Sequence, residues 1–303
     1  MSQTSTANKT KPAQRYIWQE KLGEGACGMV YAAYDQHEDK RVAVKVPLTH
    51  DLHATRELFK EAELMEQLSI PGVIPVFDIG MLSDGRGYYT MPILEGQTLE
   101  DILVSRVMEK QRGLEVIERV AEILQSVHRQ GVVHCDIKPA NIFLTNDNQV
   151  FLIDWGTAER FISLEGTQVK NSPSLKGTPL YLAPEVIGGE LARPQSDLYA
   201  LGVILYEMWT GECPFFDDDI RTLFYKAYVE EPLPPSQRNG YWEDDEMLEE
   251  VILVLLNKKP VHRYSSAAAL KQTLSTLYRA PNPLGLPSWF APPVGAETYR
   301  RAA

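Results

Sequence analysis

The sequence predicts an α+β fold with two lobes: a small lobe built on an antiparallel sheet with one main helix, and a larger, mainly helical lobe. Two patterns predict this division. Up to about residue 94, short stretches of alternating apolar and polar residues are separated by glycines, which is typical of strands and turns. From Leu99 onward, apolar residues recur at the three- and four-residue spacing of helices. The length of 303 residues is sufficient for two such units.

The first strands surround three glycines. Residues 16–46 are predicted to form a strand, a turn and two more strands, with Gly23, Gly25 and Gly28 at the first turn. Dinucleotide-binding domains share this G-x-G-x-x-G spacing, but they place a helix after it. Here residues 30–34 continue as a strand, which favours a glycine flap over nucleotide phosphates. An ordinary hairpin turn is the alternative.

A lysine lies inside the next apolar strand. Lys45 is flanked by valines, and a buried ammonium group requires an anionic partner. The main helix of the first lobe follows, and its buried face is marked by Leu58 and Met65. Glu61 lies on that face and is the first candidate partner, with Glu57 as the second.

The remaining elements follow in order. Near Gly96 the apolar pattern changes from the alternation typical of strands to the spacing typical of helices, and we place the boundary between the lobes there. The first lobe contains a helix over residues 55–68 and strands over 73–79 and 87–93, and the second contains helices over 114–129, 196–210, 245–257 and 265–278.

The two ends of the chain differ from its middle. Residues 1–14 are polar without an apolar segment, so we expect a disordered leader rather than a signal peptide. Residues 280–303 are rich in proline and are expected to form a tail or linker. The folded domain is then expected over residues 15–279, with the small lobe at 15–94 and the large lobe at 95–279.

Composition excludes several classes of protein. Hydrophobic residues at 44% and charged residues at 23% are typical of a globular protein, not of a disordered or fibrous one. The longest aliphatic run, residues 251–256, is much shorter than the roughly 20 residues that cross a membrane. A net charge of −11 disfavours nucleic acid and anionic lipid and permits basic peptides as partners. The acidic run at 243–250 is interpreted as the solvated start of a helix.

Three cysteines lie far apart in the chain. Cys27, Cys135 and Cys213 have neither the spacing of a zinc site nor an even number for disulfides, which favours a reducing, cytoplasmic location. Each is expected to be a small buried hydrophobic residue. A redox role for Cys27 or Cys135 is the alternative.

The motif that carries most chemistry follows the long helix of the second lobe. His134, Asp136, Lys138 and Asn141 form an H-x-D-x-K-x-x-N pattern, and Asp154 opens a D-x-G pattern after an apolar strand pair. Taken singly, such residues are turn residues or caps. Further along the chain come Gly177-Thr178, Ala183-Pro184-Glu185, Asp197 to Gly202 and Arg263.

In this order and spacing, over about residues 16–278, the motifs resemble those of the protein kinase family. The compact lobes without large insertions resemble its bacterial members. The resemblance implies a protein-kinase-like fold and transfer of the γ-phosphoryl group of ATP to protein serine or threonine hydroxyls. Asp136 would be the catalytic base, Lys138 would neutralise the γ-phosphate, and Lys45, paired with Glu61, would hold the α- and β-phosphates. Lys138 and Thr178 resemble serine/threonine rather than tyrosine kinases.

The resemblance also assigns the ligands. Asn141 and Asp154 would bind Mg²⁺, with Mn²⁺ as a substitute, because hard cations prefer oxygen ligands. Thr178 and Glu185 would belong to the substrate-binding activation segment, with Glu185 paired to Arg263 and Asp197 capping the catalytic loop. Protein substrates are expected, among them the chain itself. The ATP-binding residues would be Gly23, Glu24, Gly25, Ala26, Cys27, Gly28, Val30, Ala43, Lys45, Met91, Leu94 and Phe143.

Two residues depart from the family pattern. Cys135 stands where an arginine commonly receives an activation-loop phosphate, so we expect activity without phosphorylation of that loop. The loop contains four candidate phosphate acceptors, which can also be ordinary solvated residues: Ser163, Thr167, Ser172 and Ser174. Trp155 stands in place of phenylalanine and is expected to pack against the main helix of the first lobe near Met65.

Two other classes of protein compete with this interpretation. A pseudokinase scaffold typically lacks Lys45, Asp136 or Asp154, and this chain has all three. A small-molecule kinase of related fold would not need the motifs at 177–178 and 183–185, which shape a peptide-binding surface.

Overall fold

An antiparallel sheet forms the first lobe of the computed structural model, which describes residues 15–25, 28–105, 107–161, 177–238, 241–242 and 245–278. The strands lie in the order β1-β2-β3-β5-β4, so β5 inserts between β3 and β4. Their bounds are β1 (Tyr16–Gly25), β2 (Gly28–Asp35), β3 (Lys40–Val46), β4 (Asp78–Met81) and β5 (Gly87–Met91).

The two faces of this sheet are covered differently, since side chains alternate along each strand. One face forms a small apolar cluster that includes Val42, Val44 and Tyr88. The other face carries Lys45 and is covered by helix α1 (Leu52–Leu68).

Helix α1 begins at a side-chain cap and turns one stripe inward. The Asp51 carboxylate accepts a hydrogen bond from the Ala54 N–H at 2.7 Å, which satisfies a free donor of the first turn. The buried residues repeat at three or four positions, as in an amphipathic helix. They are Thr55, Leu58, Glu61, Ala62, Met65 and Leu68.

The second lobe is mainly helical. Its helices are α2 (Leu99–Ser105), α3 (Lys110–Arg129), α4 (Pro184–Ile187), α5 (Pro194–Thr210), α6 (Ile220–Val229), α7 (Glu246–Leu255) and α8 (Ala267–Tyr278). Two small antiparallel sheets accompany them, one of β6 (Gly96–Thr98), β8 (Ile142–Thr145) and β9 (Val150–Leu152), the other of β7 (Val132–Val133) and β10 (Glu159–Arg160).

Helix α5 lies at the centre of this lobe. It is buried on nearly every side and packs against α3 and α7, while α3 also packs against α8. One apolar core runs through both lobes and joins Met65 of α1 to Trp155 and Leu201. In the described ranges, no helix combines the length and the apolar character that crossing a membrane requires.

The predicted two-lobed class is confirmed, and so is a strand after the glycines. The strand predicted over residues 73–79 is wrong for most of its length, because only Asp78 and Ile79 belong to β4. Pro75 has no N–H for a sheet ladder. The apolar side chains of Val73 and Ile74 are buried in the core, so their pattern indicates burial and not a strand.

Other boundaries shift for identifiable reasons. Helix α3 starts four residues earlier than the predicted 114, because Gly113 lies inside the helix instead of breaking it. A Cβ at Gly113 would lie 2.6 Å from the Met208 side chain, so the glycine permits close packing. The strand predicted over 87–93 ends at Met91, before Pro92. Helix α6 was missed, and several of its apolar side chains are exposed, among them Tyr225 and Tyr228.

Candidate active site

A buried ion pair joins the sheet of the first lobe to α1. The Nζ of Lys45 lies 2.6 Å from Oε1 of Glu61, and the two side chains are 8% and 2% exposed. Glu57 instead contacts Lys60. Burial alone would lower the pKa of Lys45, but its acidic neighbours hold that pKa well above its ordinary value. The ammonium group therefore stays charged.

Two further side chains, Tyr89 and Asp154, contact this ion pair. The fully buried Tyr89 of β5 donates its hydroxyl hydrogen to Oε1 of Glu61 at 3.1 Å. From the second lobe, Oδ1 of Asp154 lies 3.3 Å from Nζ of Lys45. Lys45 thus bridges the two lobes, at a point where a polyanion such as a phosphate chain would meet it.

The carboxylate of Asp136 lies at the centre of the catalytic-loop segment. Its Oδ1 accepts from both the backbone N–H and the hydroxyl of Thr178, each at 2.8 Å. Its Oδ2 accepts from Nδ2 of Asn141 at 3.0 Å and from Nζ of Lys138 at 2.8 Å. Lys138 also donates to Oγ1 of Thr178 at 2.7 Å. These four predicted residues therefore form one hydrogen-bonded cluster.

Asp197 of α5 fixes the backbone of this loop through hydrogen bonds. Its two carboxylate oxygens accept from the backbone N–H groups of His134 and Cys135, both at 3.0 Å, and Nε2 of His128 lies 2.8 Å from Oδ2. Burial alone would raise the pKa of Asp197, but the hydrogen bond from His128 and the nearby histidines lower it. These hydrogen bonds hold Cys135 at a φ of 68°, a backbone conformation that costs a non-glycine residue of order 1 kcal/mol or more.

A close backbone approach requires Gly177 in the facing segment. Its φ is 101°, and an added Cβ would lie 2.5 Å from the carbonyl oxygen of Cys135. No side chain can be accommodated there. The glycine consequently brings Thr178 within hydrogen-bonding distance of Asp136.

Behind the loop, the rings of His134 and Trp155 pack against each other with their planes tilted by 57°. Their ring centroids are 4.6 Å apart, and the Trp155 indole N–H donates to the Leu152 carbonyl oxygen at 3.0 Å. Nε2 of His134 lies 3.2 Å from the Ile153 carbonyl oxygen, so this nitrogen carries the proton. Burial lowers the pKa of His134, which keeps the ring neutral. Trp155 shares a core cluster with Met65, and their direct contact stays a prediction.

The apolar residues predicted to bind ATP come from both lobes. Strand register puts Val30 opposite Lys45 and Ala43 opposite Met91, so all four share one face of the sheet. Phe143 is on β8 of the second lobe.

Leu94 lies between β5 and β6 and packs partly buried against the main core. The glycine segment is the hairpin between β1 and β2, in which Gly25 pairs with Gly28 and Gly23 with Val30. Glu24 is exposed on β1. Ala26 and Cys27 lie outside the described residues, as do Ser163, Thr167, Ser172 and Ser174.

Glu185 and Arg263 form a pair in the interior of the second lobe. Arg263 donates to both carboxylate oxygens, at 2.8 and 2.7 Å, and the side chains are 2% and 0% exposed. Ser196 also donates to Glu185 at 2.7 Å. The pair braces the start of α4 against the segment that carries Arg263.

The oxygen donors fit a hard cation that also binds phosphate. Nδ2 of Asn141 is engaged by Asp136, which leaves the amide oxygen of Asn141 as a ligand, and the Asp154 carboxylate is 22% exposed. Among the described residues, no group of three or more histidine, cysteine or acidic side chains could hold a metal by itself. Mg²⁺ binds through one or two protein oxygens together with phosphates and water, and one amide oxygen and one carboxylate would fit that mode of binding.

The cysteines depart from expectation, because Cys135 and Cys213 are only partly buried. Even so, burial raises the pKa of the Cys213 thiol to about 12, so it is a poor nucleophile at neutral pH.

Sequence reasoning missed Tyr89, His128 and Ser196. Each of these residues contacts a partner that is distant in the chain, so no local spacing in the sequence indicates the contact. The signal for Tyr89 is strand register, which places it directly opposite Lys45.

Comparison with known proteins agrees with this geometry. The family model described as "Protein kinase domain" matches residues 16–275. The chain is 34% identical over 278 residues to the serine/threonine-protein kinase PknB of Mycobacterium tuberculosis, a match that covers 89% of this chain and 44% of that protein.

Two further relatives are slightly less similar to the chain. A probable serine/threonine-protein kinase of Clostridium perfringens is 32% identical (88% of this chain, 39% of the relative), and PknD of Chlamydia trachomatis is 31% identical (91% and 32%). The chain thus spans less than half the length of these curated relatives.

Proposed function

Because the chain belongs to the protein kinase family, we propose that it transfers the γ-phosphoryl group of ATP to serine and threonine hydroxyls of proteins. The family in general uses ATP, a divalent metal ion and protein substrates. The observation that carries the proposal is the cluster in which Lys138 and Thr178 both contact the Asp136 carboxylate. The names of the relatives agree with the choice of serine and threonine.

Asp136 would orient the attacking hydroxyl. An ionised carboxylate has about four acceptor positions, and here four donors already contact it. The γ-phosphate would draw Lys138 toward itself, which frees an acceptor position on Oδ2 for the substrate hydroxyl. The hydroxyl oxygen then bonds to the γ-phosphorus, the bond to the β–γ bridging oxygen breaks, ADP leaves, and the hydroxyl proton passes to Asp136.

The other polar groups would manage charge. Lys45, held by Glu61, would bind the α- and β-phosphates, and Lys138 would neutralise charge on the γ-phosphate. Asn141 and Asp154 would hold Mg²⁺, which supplies positive charge to the phosphates when bound. The glycine hairpin and the apolar residues on the same face of the sheet would enclose the nucleotide. Glu185 supports the activation segment structurally, through Arg263.

We also propose the extent of the unit and its partners. The kinase domain would span residues 15–279, divided at about residue 94, with a disordered leader over residues 1–14 and a proline-rich tail or linker over residues 280–303. The chain itself would be one of its substrates. The reducing, cytoplasmic location stays a prediction from the cysteine pattern.

The test is phosphoryl transfer by the purified chain. It is incubated with Mg-ATP and a generic basic protein, and phosphorylated residues are located by mass spectrometry. We expect phosphoserine and phosphothreonine with the wild type and with Asp147→Asn, a control in the exposed β8–β9 turn, but none with Asp136→Asn. No transfer, or transfer to tyrosine alone, would contradict the proposal. If the chain binds ATP but transfers nothing, it would be a pseudokinase scaffold or an enzyme that needs a partner for activity.

A further inference from the structure

A tyrosine hydroxyl is buried beside the Lys45–Glu61 ion pair. Tyr89 is 1% exposed, and a buried phenol needs a hydrogen-bond partner. Its partner is Oε1 of Glu61, the same oxygen that accepts from Lys45. Burial raises the pKa of Tyr89 well above its ordinary value, so the hydroxyl keeps its proton and acts as the donor.

Strand pairing explains why this tyrosine reaches the ion pair. Tyr89 of β5 lies directly opposite Lys45 of β3, so both side chains point to the face that α1 covers. The neighbouring Tyr88 points to the other face, where it joins a separate apolar cluster and contacts Asp78 at 3.4 Å. Two adjacent tyrosines of similar burial thus differ in whether they touch Glu61.

The same strand holds α1 at a second point. The backbone N–H of Gly87 donates to Oγ1 of Thr55 at 3.1 Å, near the start of α1. Thr55 and Glu61 are six positions apart on the buried stripe, so β5 contacts both the first turn and the middle of the helix. These hydrogen bonds resist movement of α1 away from the sheet.

The Glu61 carboxylate needs more than one donor. Its side chain is 2% exposed, and a carboxylate taken out of water is stable only when its lone pairs are satisfied with good geometry. Lys45 alone fixes one contact, and it must also face the phosphates. The hydroxyl of Tyr89 adds a neutral donor that fixes the carboxylate without competing for the nucleotide.

We propose that Tyr89 is a positioning residue for ATP binding. Its hydroxyl holds Glu61 against the sheet, and Glu61 in turn directs Lys45 toward the phosphates. This role rests on the proposed function, in which Lys45 binds ATP. The effect should therefore appear as a change in nucleotide affinity and in KM for ATP, and it should depend on Glu61.

The test compares Tyr89→Phe with Tyr88→Phe, which makes the same chemical change on the opposite face. We expect Tyr89→Phe to weaken Mg-ATP binding, measured by calorimetry, about three- to tenfold, with a matching rise in KM and a smaller change in kcat. Tyr88→Phe should stay within about twofold. Thermal unfolding of both variants checks that they are folded.

A cycle with Glu61→Ala separates positioning from packing. In that background, adding Tyr89→Phe should change ATP affinity less than about twofold, because the acceptor is gone. The proposal is overturned if Tyr89→Phe binds ATP like the wild type, if Tyr88→Phe loses as much, or if Tyr89→Phe has its full effect without Glu61. A wild type that binds ATP but transfers nothing contradicts the proposed function alone, since the affinities still decide the role of Tyr89.

Discussion

Glu185→Ala removes one half of an ion pair that water does not reach. Arg263 is 0% exposed and would keep its charge, because a guanidinium group stays protonated in proteins. It would lose both contacts to the carboxylate and keep those to the backbone carbonyls of Asn257 and Gln195, at 2.8 and 2.9 Å. The variant therefore leaves a buried cation without its counter-charge.

The expected loss is large compared with the stability of a domain. Breaking a buried pair by removing one partner costs about 3–5 kcal/mol, out of the roughly 5–15 kcal/mol that separates folded from unfolded states. Glu190–Arg193 supplies a control in the same part of the chain, since those side chains are 61% and 44% exposed. Glu190→Ala should change the free energy of unfolding by less than about 1 kcal/mol.

Urea unfolding of the wild type and both variants measures these differences. The midpoints give the free energies, provided that the slopes agree. Glu185→Gln, which keeps an oxygen for Arg263 but loses the charge, should fall between the two alanine variants. If Glu185→Ala costs no more than Glu190→Ala, the reasoning about the buried pair is refuted.

Three further predictions concern residues next to Asp136 in the chain or in contact with it. Thr178→Val should lower kcat about tenfold or more by removing the hydroxyl that contacts Asp136, and Thr178→Ser should restore most of it; equal rates for the two variants would contradict this. If Cys135 stands where the family commonly has a phosphate-binding arginine, as the resemblance implies, a phosphatase-treated chain should transfer phosphate within about twofold of the untreated rate, and loss of transfer after phosphatase treatment would contradict this prediction. Burial lowers the pKa of His134 below the ordinary 6.5, so the unfolded chain binds this proton first. The free energy of unfolding should then fall, by at most about 1.4 kcal/mol per pH unit, as pH drops below 6.5, and an unchanged slope in His134→Gln would contradict this.

Much of the site could be predicted because its residues follow local rules. Glu61 lies three positions after Leu58 on a helix stripe, so helical periodicity alone favours it over Glu57 as the partner of Lys45. The strand after the glycine segment likewise follows from alternation. Local pattern determined these elements, and tertiary packing did not override it.

The remaining features depend on contacts between distant segments. Tyr89 reaches Glu61 only because β5 pairs with β3 in one particular register. Val73 and Ile74 are apolar like a strand but lie in the core, and Pro75 after them has no N–H to give to a sheet ladder. Gly113 resembles a helix breaker until its close approach to Met208 is known. Sequence spacing carries none of this information.

The central claim is that Asp136 orients the hydroxyl that attacks ATP, and the most direct measurement is Asp136→Asn with binding and transfer measured on the same sample. We predict that transfer to serine and threonine falls by about 10² or more while the dissociation constant of Mg-ATP stays within about twofold. Asp154→Ala, measured in parallel, should lose both, because it removes the carboxylate proposed to hold the metal ion. Transfer by Asp136→Asn at the wild-type rate would contradict the account.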